Sequence, residues 1–422
     1  MPIRAAGFSL RGKSGSTETI GQSLVRADSR RAGIAFRPRL VGLRSVTSVA
    51  ENPDCIIIGG GVIGLSIARR LAREHVRVTL LERGRCGIEA SWAAAGVLTP
   101  CNPHRNDAIA ALRQRSLSMF SLFCDELIEE TGIDPEYEPC GELEIALNAD
   151  SLRSLQDDAK AGASRRLPDD RPAYQLLSPE ETRRIEPVVS ESILGALECR
   201  ETAQVRNPRL LRALHAACLK AGVDIREETP VHDFVLDGSR VTGVRTEKGE
   251  LPAEKVILCA GAWSSQIGQR LHELMPVHPV RGQIILMKFE SRPFTRVISR
   301  GKTYLVPRRD GHVLLGATQE HDAGYNKRNT PKGIADLFEK GIKLVPSIAD
   351  AAVVTQWAGL RPGTPDDNPY IGPVPGFDGL IAATGHFRSG LILAPVTAEI
   401  VASLIQGRDY DIDLSACRPG RA

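Results

Sequence analysis

The apolar pattern begins abruptly near residue 54 and first predicts a β-α-β unit. Residues 55–58 form an unbroken apolar run bounded by glycines, which predicts a short buried strand. Residues 62–74 place apolar and small residues at helical spacing, and residues 76–81 form a second apolar run. A strand, a helix and a strand in about 30 residues form the minimal dinucleotide-binding unit.

Further along the chain, helical patterns alternate with short strand patterns. Predicted helices cover 107–132, 207–221, 331–345 and 390–405, and Asn207 followed by Pro208 is interpreted as a helix cap. Strands are predicted near 140–147, 231–236, 240–246, 255–259, 280–289, 294–299, 303–307, 312–316 and 381–383. The order predicts an α/β fold, with a nucleotide domain of discontinuous segments and an inserted antiparallel sheet.

Residues 1–50 differ from the rest in charge and pattern. They contain nine basic and two acidic residues, many Ser and Gly, and no clear apolar period. This composition predicts a disordered tail and resembles an organelle transit peptide. A flexible extension and a start codon placed too early remain open as alternatives.

Composition removes several classes of function. The 422 residues are 42% hydrophobic and 25% charged, and the net charge of +3 argues against a nucleic-acid surface. No run of about 18 apolar residues predicts a spanning helix. The nine cysteines form no CxxC pair and the histidines show no ligand spacing, so neither a disulfide framework nor a metal site is predicted. Reduced thiols favour a cytoplasmic location, with organelle targeting by the tail left open.

The loop between the first strand and helix carries a phosphate-binding fingerprint. It reads G-x-G-x-x-G, in which Gly59 permits a tight turn, Gly61 lets the backbone approach a pyrophosphate, and Gly64 lets helix and strand pack closely. Ile63 lies inside the loop, at the helix N-terminus that would bind the anion. Glu82 lies 18 residues after Gly64 and ends the second strand, where it would accept hydrogen bonds from ribose hydroxyls. The pattern alone does not separate NAD from FAD.

Two further segments resemble the D-amino-acid oxidase and glycine oxidase superfamily, which has the glutathione-reductase-type FAD-binding fold. One is the small-residue run 91–98, and the other is 256–263, a buried strand that ends in an Ala-Gly turn. The resemblance implies FAD, with the first run passing along the flavin and its pyrophosphate. It implies a cofactor-binding role for Ser91, Ala94, Ala95, Gly96, Gly261 and Val231, the last through its backbone at the adenine.

The C-terminal third carries the most specific motifs. Residues 357–372 and 385–395, with 304–308 and 316–318, resemble the ThiO-type glycine oxidase branch associated with thiazole biosynthesis. The resemblance spans roughly residues 54–410. It implies that Gly385, Gly390 and Leu391 lie beside the flavin, and that the last helix directs its positive end at the flavin.

The same resemblance, with the chemistry of amino-acid oxidation, indicates three catalytic residues. Arg361 would hold the substrate carboxylate, because a guanidinium matches a carboxylate in a bidentate fork. Tyr304 would donate its hydroxyl to that carboxylate, and Arg388 would lie near the substrate and the flavin edge. His386 is expected to be structural rather than a base. Lys302 and Gln319 depart from the bacterial pattern, which leaves substrate size open.

The implied domain organisation is a Rossmann FAD-binding domain with an inserted antiparallel-sheet substrate (cap) domain. The FAD-binding domain is assigned 51–101, 187–270 and 350–410, the cap 102–186 and 271–349, and a C-terminal tail 411–422.

The expected activity is oxidative deamination of glycine, or of another small amine or D-amino acid, by hydride transfer from the α-carbon to flavin N5. The products are an imine and hydrogen peroxide, so molecular oxygen is a partner, and thiazole (thiamine) synthesis is the expected use. A homo-oligomer is expected. Two alternatives remain open: a D-amino-acid dehydrogenase that passes electrons to a quinone, and a flavin-binding subunit of a larger complex.

Overall fold

The computed structural model describes residues 52–100, 102–105, 107–268 and 270–421. The predicted N-terminal tail, residues 1–50, lies outside these ranges. In the described ranges the helices are α1 Val62–Arg73, α2 Ala90–Ala93, α3 Ala108–Thr131, α4 Ala149–Ala161, α5 Pro179–Ile185, α6 Asn207–Lys220, α7 Leu271–Leu274, α8 Pro331–Leu344 and α9 Gly390–Ile405.

The strands are β1 Cys55–Ile58, β2 Val78–Leu81, β3 Val97–Leu98, β4 Glu142–Ala146, β5 Tyr174–Leu177, β6 Gly195–Cys199, β7 Ala203–Gln204, β8 Asp224–Arg226, β9 Val231–Asp237, β10 Arg240–Thr246, β11 Gly249–Pro252, β12 Lys255–Leu258, β13 His278–Lys288, β14 Val297–Arg300, β15 Thr303–Pro307, β16 His312–Gly316, β17 Ala352–Gly363, β18 Tyr370–Pro373 and β19 Leu380–Thr384.

A six-stranded sheet forms the nucleotide-binding half, in the order β18-β19-β12-β1-β2-β8. All its neighbours are parallel except the β18–β19 pair. All four residues of β1 are buried, as expected of a central parallel strand with both faces covered. Helices α1, α3, α6 and α9 share one apolar core with one face of this sheet. The other face contributes to a core with residues of β9, β10 and α7.

A second sheet of eight strands follows the order β17-β13-β16-β15-β14-β4-β6-β5. Its pairs are antiparallel except β14–β4. Helix α8 contributes Leu337 and Leu344 to the core beside it. The predicted α/β fold, a Rossmann-type parallel sheet with an antiparallel sheet inserted, is confirmed.

The domain bounds stay a prediction. Strands β6 and β17 fall in the ranges assigned to the FAD-binding domain, yet both pair within the eight-stranded sheet. A division by sheet membership would therefore place them with the cap. None of the helices among the described residues has the length and apolar character needed to cross a membrane.

The predicted cap of α6 is wrong. Arg206 is the N-cap, and Asn207 is the first residue of the helix. The Asn207 amide instead donates to the carbonyls of Ser91 and Ala94, at 2.9 and 2.7 Å. The Asn207 side chain thus makes a tertiary contact, although the local sequence resembles a helix cap.

Candidate active site

One cavity of about 960 Å³ lies between the two sheets. Its walls contain most of the site residues predicted from the sequence. This volume is at the upper end of the roughly 300–1,000 Å³ of ligand pockets. All of the predicted site residues line the cavity except Gly64. Arg361 and Tyr304 thus share one space with the Gly59–Gly64 loop, although they are more than 200 positions away in sequence.

The phosphate loop has the tight geometry that its glycines predict. Gly59 has φ +109°, and a Cβ there would overlap the carbonyl of Cys259, directly after β12. A Cβ on Gly64 would overlap the carbonyl oxygen of Gly59, so Gly64 is a packing position outside the cavity. Gly61 is different, because its Cβ would meet only the Ser91 hydroxyl, at 3.2 Å. The space beside Gly61 is therefore available to a ligand.

Helix α1 begins at this loop without a side-chain cap and without an acidic residue in its first turn. Its N-terminus borders the cavity with no acidic residue in its own first turn, as suits an anion site. The Ser91 hydroxyl accepts from the Val62 N–H at 3.0 Å, and Ile63 lines the cavity one residue further on.

Glu82 lies at the end of β2, in the cavity wall. Its two carboxylate oxygens accept from the backbone N–H groups of Gly60 and Gly84, at 2.7 and 2.9 Å. These bonds fix the carboxylate beside the loop. Each carboxylate oxygen has a second lone pair, so Glu82 keeps the capacity to accept from a ribose hydroxyl.

The small-residue run after α2 is held in place by two polar side chains from elsewhere in the chain. Arg308 is buried and donates to the carbonyls of Ala95 and Val205, at 2.7 and 2.9 Å, and burial lowers its pKa to about 10. Gly96 has φ +77°, and a Cβ there would overlap Asn207 Oδ1 and the Val205 carbonyl. Ala94, Ala95 and Gly96 therefore present a fixed backbone to the cavity.

The start of α9 also borders the cavity. Gly385, Gly390 and Leu391 line it, and Gly385 has φ +71° where a Cβ would lie 2.5 Å from a methyl carbon of Thr364. The hydroxyl of the N-cap residue, Ser389, accepts from the Arg113 guanidinium at 2.6 Å.

His386 precedes α9 and is buried. Its Nε2 lies 3.2 Å from the Thr397 hydroxyl, and burial lowers the pKa of His386 to about 3. A group with so low a pKa is a weak proton acceptor at neutral pH. This favours the structural interpretation of His386 over a role as base.

Val231 and Gly261 lie at the nucleotide end, in the cavity wall formed by the start of β9 and the turn after β12. Gly261 has φ +54°, a backbone conformation that favours glycine. Arg83 follows Glu82 and lies over the Trp263 ring, 3.5 Å from its centroid. These residues close that end of the cavity with backbone and flat side chains.

Arg361 lies on β17 and faces the cavity across its neighbour β13. Its guanidinium donates to the Thr318 carbonyl at 3.1 Å. Gly282 on β13 lies beneath it, since a Cβ at Gly282 would be 2.5 Å from the Arg361 Cζ. Glycine at 282 therefore lets the guanidinium lie flat against the strand, and nothing in the local sequence indicated this requirement.

Thr318 is fixed in turn by a polar network. Its hydroxyl donates to Glu320 at 2.6 Å and accepts from the Gln283 N–H at 2.9 Å. Glu320 pairs with the buried guanidinium of Arg281. The position of the Thr318 carbonyl, which accepts from Arg361, is thus fixed by contacts outside the cavity.

Tyr304 on β15 is half-buried and lines the cavity. Burial raises the pKa of its phenol, and the positive charges of Arg361 and Arg388 oppose that rise. The phenol is therefore protonated at neutral pH and able to donate a hydrogen bond. Arg388 is exposed to the cavity, with Cζ 5.3 Å from the centroid of the neighbouring Phe387 ring.

The two guanidiniums give this end of the cavity its charge. Among the residues that the structure describes, neither Arg361 nor Arg388 has a carboxylate partner. An anion that enters would therefore meet two unneutralised cations and a phenolic donor. Such a set binds a small carboxylate.

The cavity as a whole fits FAD at the level of its residues. The glycine cradle and the helix N-terminus suit a pyrophosphate, Glu82 suits a ribose, and the rigid backbone of Ala94–Gly96 suits a flat ring system. The space is continuous from this cradle to Arg361, so a bound cofactor and a bound carboxylate would be neighbours.

Fold and cavity define a flavin-dependent oxidoreductase. The model of the FAD dependent oxidoreductase family (DAO) matches residues 54–404, and the chain belongs to this family.

Known proteins are similar to this chain over most of its length. The chain is 41% identical over 366 residues to glycine oxidase from Pseudomonas aeruginosa. The aligned region covers 86% of this chain and 98% of that protein. It is 34% identical to the bifunctional protein ThiO/ThiG of a Synechocystis species, covering 87% of this chain and 54% of the relative. The crystal structure of glycine oxidase from Geobacillus kaustophilus superposes with a TM-score of 0.81 at 30% identity, covering 88% of this chain and 99% of that one.

Proposed function

We propose that this protein oxidises glycine, or another small primary or secondary amine that carries a carboxylate, to the corresponding imine. Oxygen is the proposed electron acceptor and hydrogen peroxide the second product. The proposal draws on the printed names of the relatives, glycine oxidase and ThiO/ThiG, which also suggest use of the imine in thiamine synthesis. The observation that carries it is that Arg361 and the Gly59–Gly64 loop face one cavity.

The residues of this chain would act mainly by positioning. When bound, FAD supplies the acceptor for two electrons. Arg361 would hold the substrate carboxylate in a bidentate pair, and the protonated Tyr304 would donate to the same carboxylate. Fixing the carboxylate fixes the direction of the α-carbon, and placing two reactants in contact removes much of the entropic barrier.

No side chain is assigned the role of general base. His386 is held by Thr397 and its low pKa keeps it neutral, so it would serve the framework of α9. Selective binding of the neutral amine would leave the α-carbon ready for oxidation without a proton acceptor in the protein.

The rest of the cavity wall disfavours an acidic side chain on the substrate. Glu142 and Glu144 both line it, and Glu142 accepts from the hydroxyls of Thr99, Thr202 and Ser299. Burial and the neighbouring Glu142 raise the pKa of Glu144. A substrate with an acidic side chain would be repelled by these carboxylates.

The experiment is an oxygen-consumption and peroxide assay on the flavin-loaded full chain with glycine, sarcosine, D-alanine, D-proline and D-aspartate. Turnover of glycine or sarcosine with equimolar peroxide, and none of D-aspartate, supports the proposal. Oxidation that proceeds only with a quinone acceptor would instead support the dehydrogenase alternative. Inactivity of flavin-loaded protein toward every amine would support the subunit alternative.

Two further expectations belong to this proposal. A homo-oligomer is expected, and light scattering of the purified chain would test it. Location in a reducing compartment, the cytoplasm unless residues 1–50 target an organelle, is proposed because the nine cysteines are scattered and form no CxxC pair. A fluorescent fusion with and without residues 1–50 would test the location.

A further inference from the structure

Three side chains with metal-ligand chemistry meet outside the cavity. They are Cys86 in the loop after β2, His215 on α6 and Glu227 directly after β8. One ligand atom from each lies within 4.8 Å of the others. No local sequence pattern indicates this cluster, because its members are separated by 129 and 12 positions and only the fold brings them together.

The donor set selects a class of ion. A thiol, an imidazole and a carboxylate are ligands of zinc and similar divalent transition metals, whereas Ca²⁺ and Mg²⁺ prefer oxygen ligands alone. Tetrahedral zinc with bonds of about 2.0–2.3 Å sets its ligand atoms roughly 3.5 Å apart. Small side-chain rotations would bring the three atoms from their present separation to that spacing.

The cluster is both organised and accessible. The Cys86 N–H donates to Glu227 Oε1 at 2.7 Å, so the loop and the end of β8 are already joined. Cys86 and His215 are half-buried, and Glu227 is exposed, which leaves an entry path for a hydrated ion.

We propose that Cys86, His215 and Glu227 bind one zinc-type divalent ion, with the fourth position left to water. The ion would tie the loop after β2, α6 and β8 together. This site is separate from the proposed amine oxidation and does not depend on it.

The cluster also contacts the phosphate loop. A Cβ on Gly60 would be 2.5 Å from the Cys86 sulfur, and the Gly87 N–H donates to the Gly60 carbonyl at 2.8 Å. An ion bound at Cys86 would therefore stabilise the backbone that forms the nucleotide cradle. Bound metal is expected to slow the loss of FAD from the protein.

The test uses Co²⁺ as a probe, because cobalt bound by thiolate absorbs at wavelengths beyond the flavin bands. Flavin-loaded full-length protein is treated with chelator, dialysed and titrated with Co²⁺, followed by competition with Zn²⁺. The wild type is expected to bind one equivalent with a thiolate–cobalt band. Cys86→Ser is expected to abolish that band and weaken binding at least ten-fold, and His215→Ala to weaken binding by a similar factor.

The matched control is Cys140→Ser, which removes another half-buried thiol and should bind cobalt like the wild type. Flavin content, read in the same spectra, separates a lost ligand from a lost fold. Absence of the band in the wild type, or the same affinity in Cys86→Ser and His215→Ala as in the wild type, would overturn the proposal and leave the cluster as a hydrogen-bonded contact only.

Discussion

The nucleotide end and the substrate end of the cavity are built from different parts of the chain. At the nucleotide end, backbone groups and missing Cβ atoms of the Gly59–Gly64 loop form most of the site, with the side chains of Glu82 and Ser91 bonded to it. At the substrate end, two guanidiniums and a phenol come from β17, β15 and the turn before α9. We propose that the first end recognises its ligand by shape and dipole, and the second by charge. Substitutions at the nucleotide end should therefore affect folding or flavin binding, whereas substitutions at the substrate end should affect activity.

The largest effects are expected for valine in the phosphate loop. Gly64→Val would drive a side chain into the Gly59 carbonyl, so little folded protein is expected. The Cβ of Gly61→Val would meet only the Ser91 hydroxyl within the protein, so this variant is expected to fold and yet lose flavin, because its side chain would occupy the pyrophosphate space. Expression yield, circular dichroism and the visible flavin spectrum measure the difference. A yellow, flavin-loaded Gly61→Val protein would refute this assignment of the cradle.

At the other end, Arg361→Ala should leave flavin in place and remove activity. The loss of a charge-paired contact with the carboxylate costs about 3–5 kcal/mol, or roughly 10²–10⁴-fold in kcat/KM for glycine. Arg309→Ala is the matched control, because Arg309 is an exposed arginine outside the cavity wall. The measurement is the steady-state kinetics of both variants and the wild type at equal flavin content. An unchanged kcat/KM in Arg361→Ala would contradict the proposal that Arg361 binds the carboxylate.

A subtler change is Gly282→Ala, which adds one methyl group beneath the Arg361 guanidinium. The guanidinium must shift, and a reduction of about 10–100-fold in kcat/KM is expected, mostly through KM, with flavin retained. Addition of Gly282→Ala to Arg361→Ala should cost nothing further, since the two act through one contact. A double variant with additive losses would show that Gly282 acts on something other than Arg361.

The smallest effect on catalysis is expected at His386, between the two ends. The folded protein keeps this imidazole neutral down to a pKa of about 3, whereas the unfolded chain protonates it near 6.5. Its contribution to stability is therefore complete above pH 6.5 and is lost as the pH falls, by about 1.4 kcal/mol per pH unit. Denaturant unfolding at several pH values should show a shallower pH slope in His386→Gln. An equal slope in both proteins would show that His386 does not contribute to the pH dependence of stability.

The sequence predicted the strand, helix and strand around the phosphate loop because their determinants are local. The strand, the glycine loop, α1 and Glu82 lie within 30 residues, and Gly59 and Gly64 are required by backbone packing that any such loop shares. Helix α9 and strand β15 match the predicted bounds, since their apolar patterns are strong.

The sequence failed where structure depends on distant partners. Strand β17 was not predicted, because its first residues are exposed on both faces and show no alternation, and its extended form comes from pairing with β13. Helix α4 was missed, because Leu155 is its only buried residue among those described. Gly282, Thr318 and Arg308 support the site through contacts that no local pattern records.

The central claim is that Arg361 and the flavin ring face each other in one cavity. The most direct test is a titration of flavin-loaded protein with glycolate, which resembles glycine with the amine replaced by a hydroxyl, monitored by the visible flavin spectrum. The wild type should show a saturable spectral shift, and Arg361→Ala should show none at the same concentrations while keeping its flavin. An identical, saturable shift in both proteins would place the carboxylate elsewhere and contradict the claim.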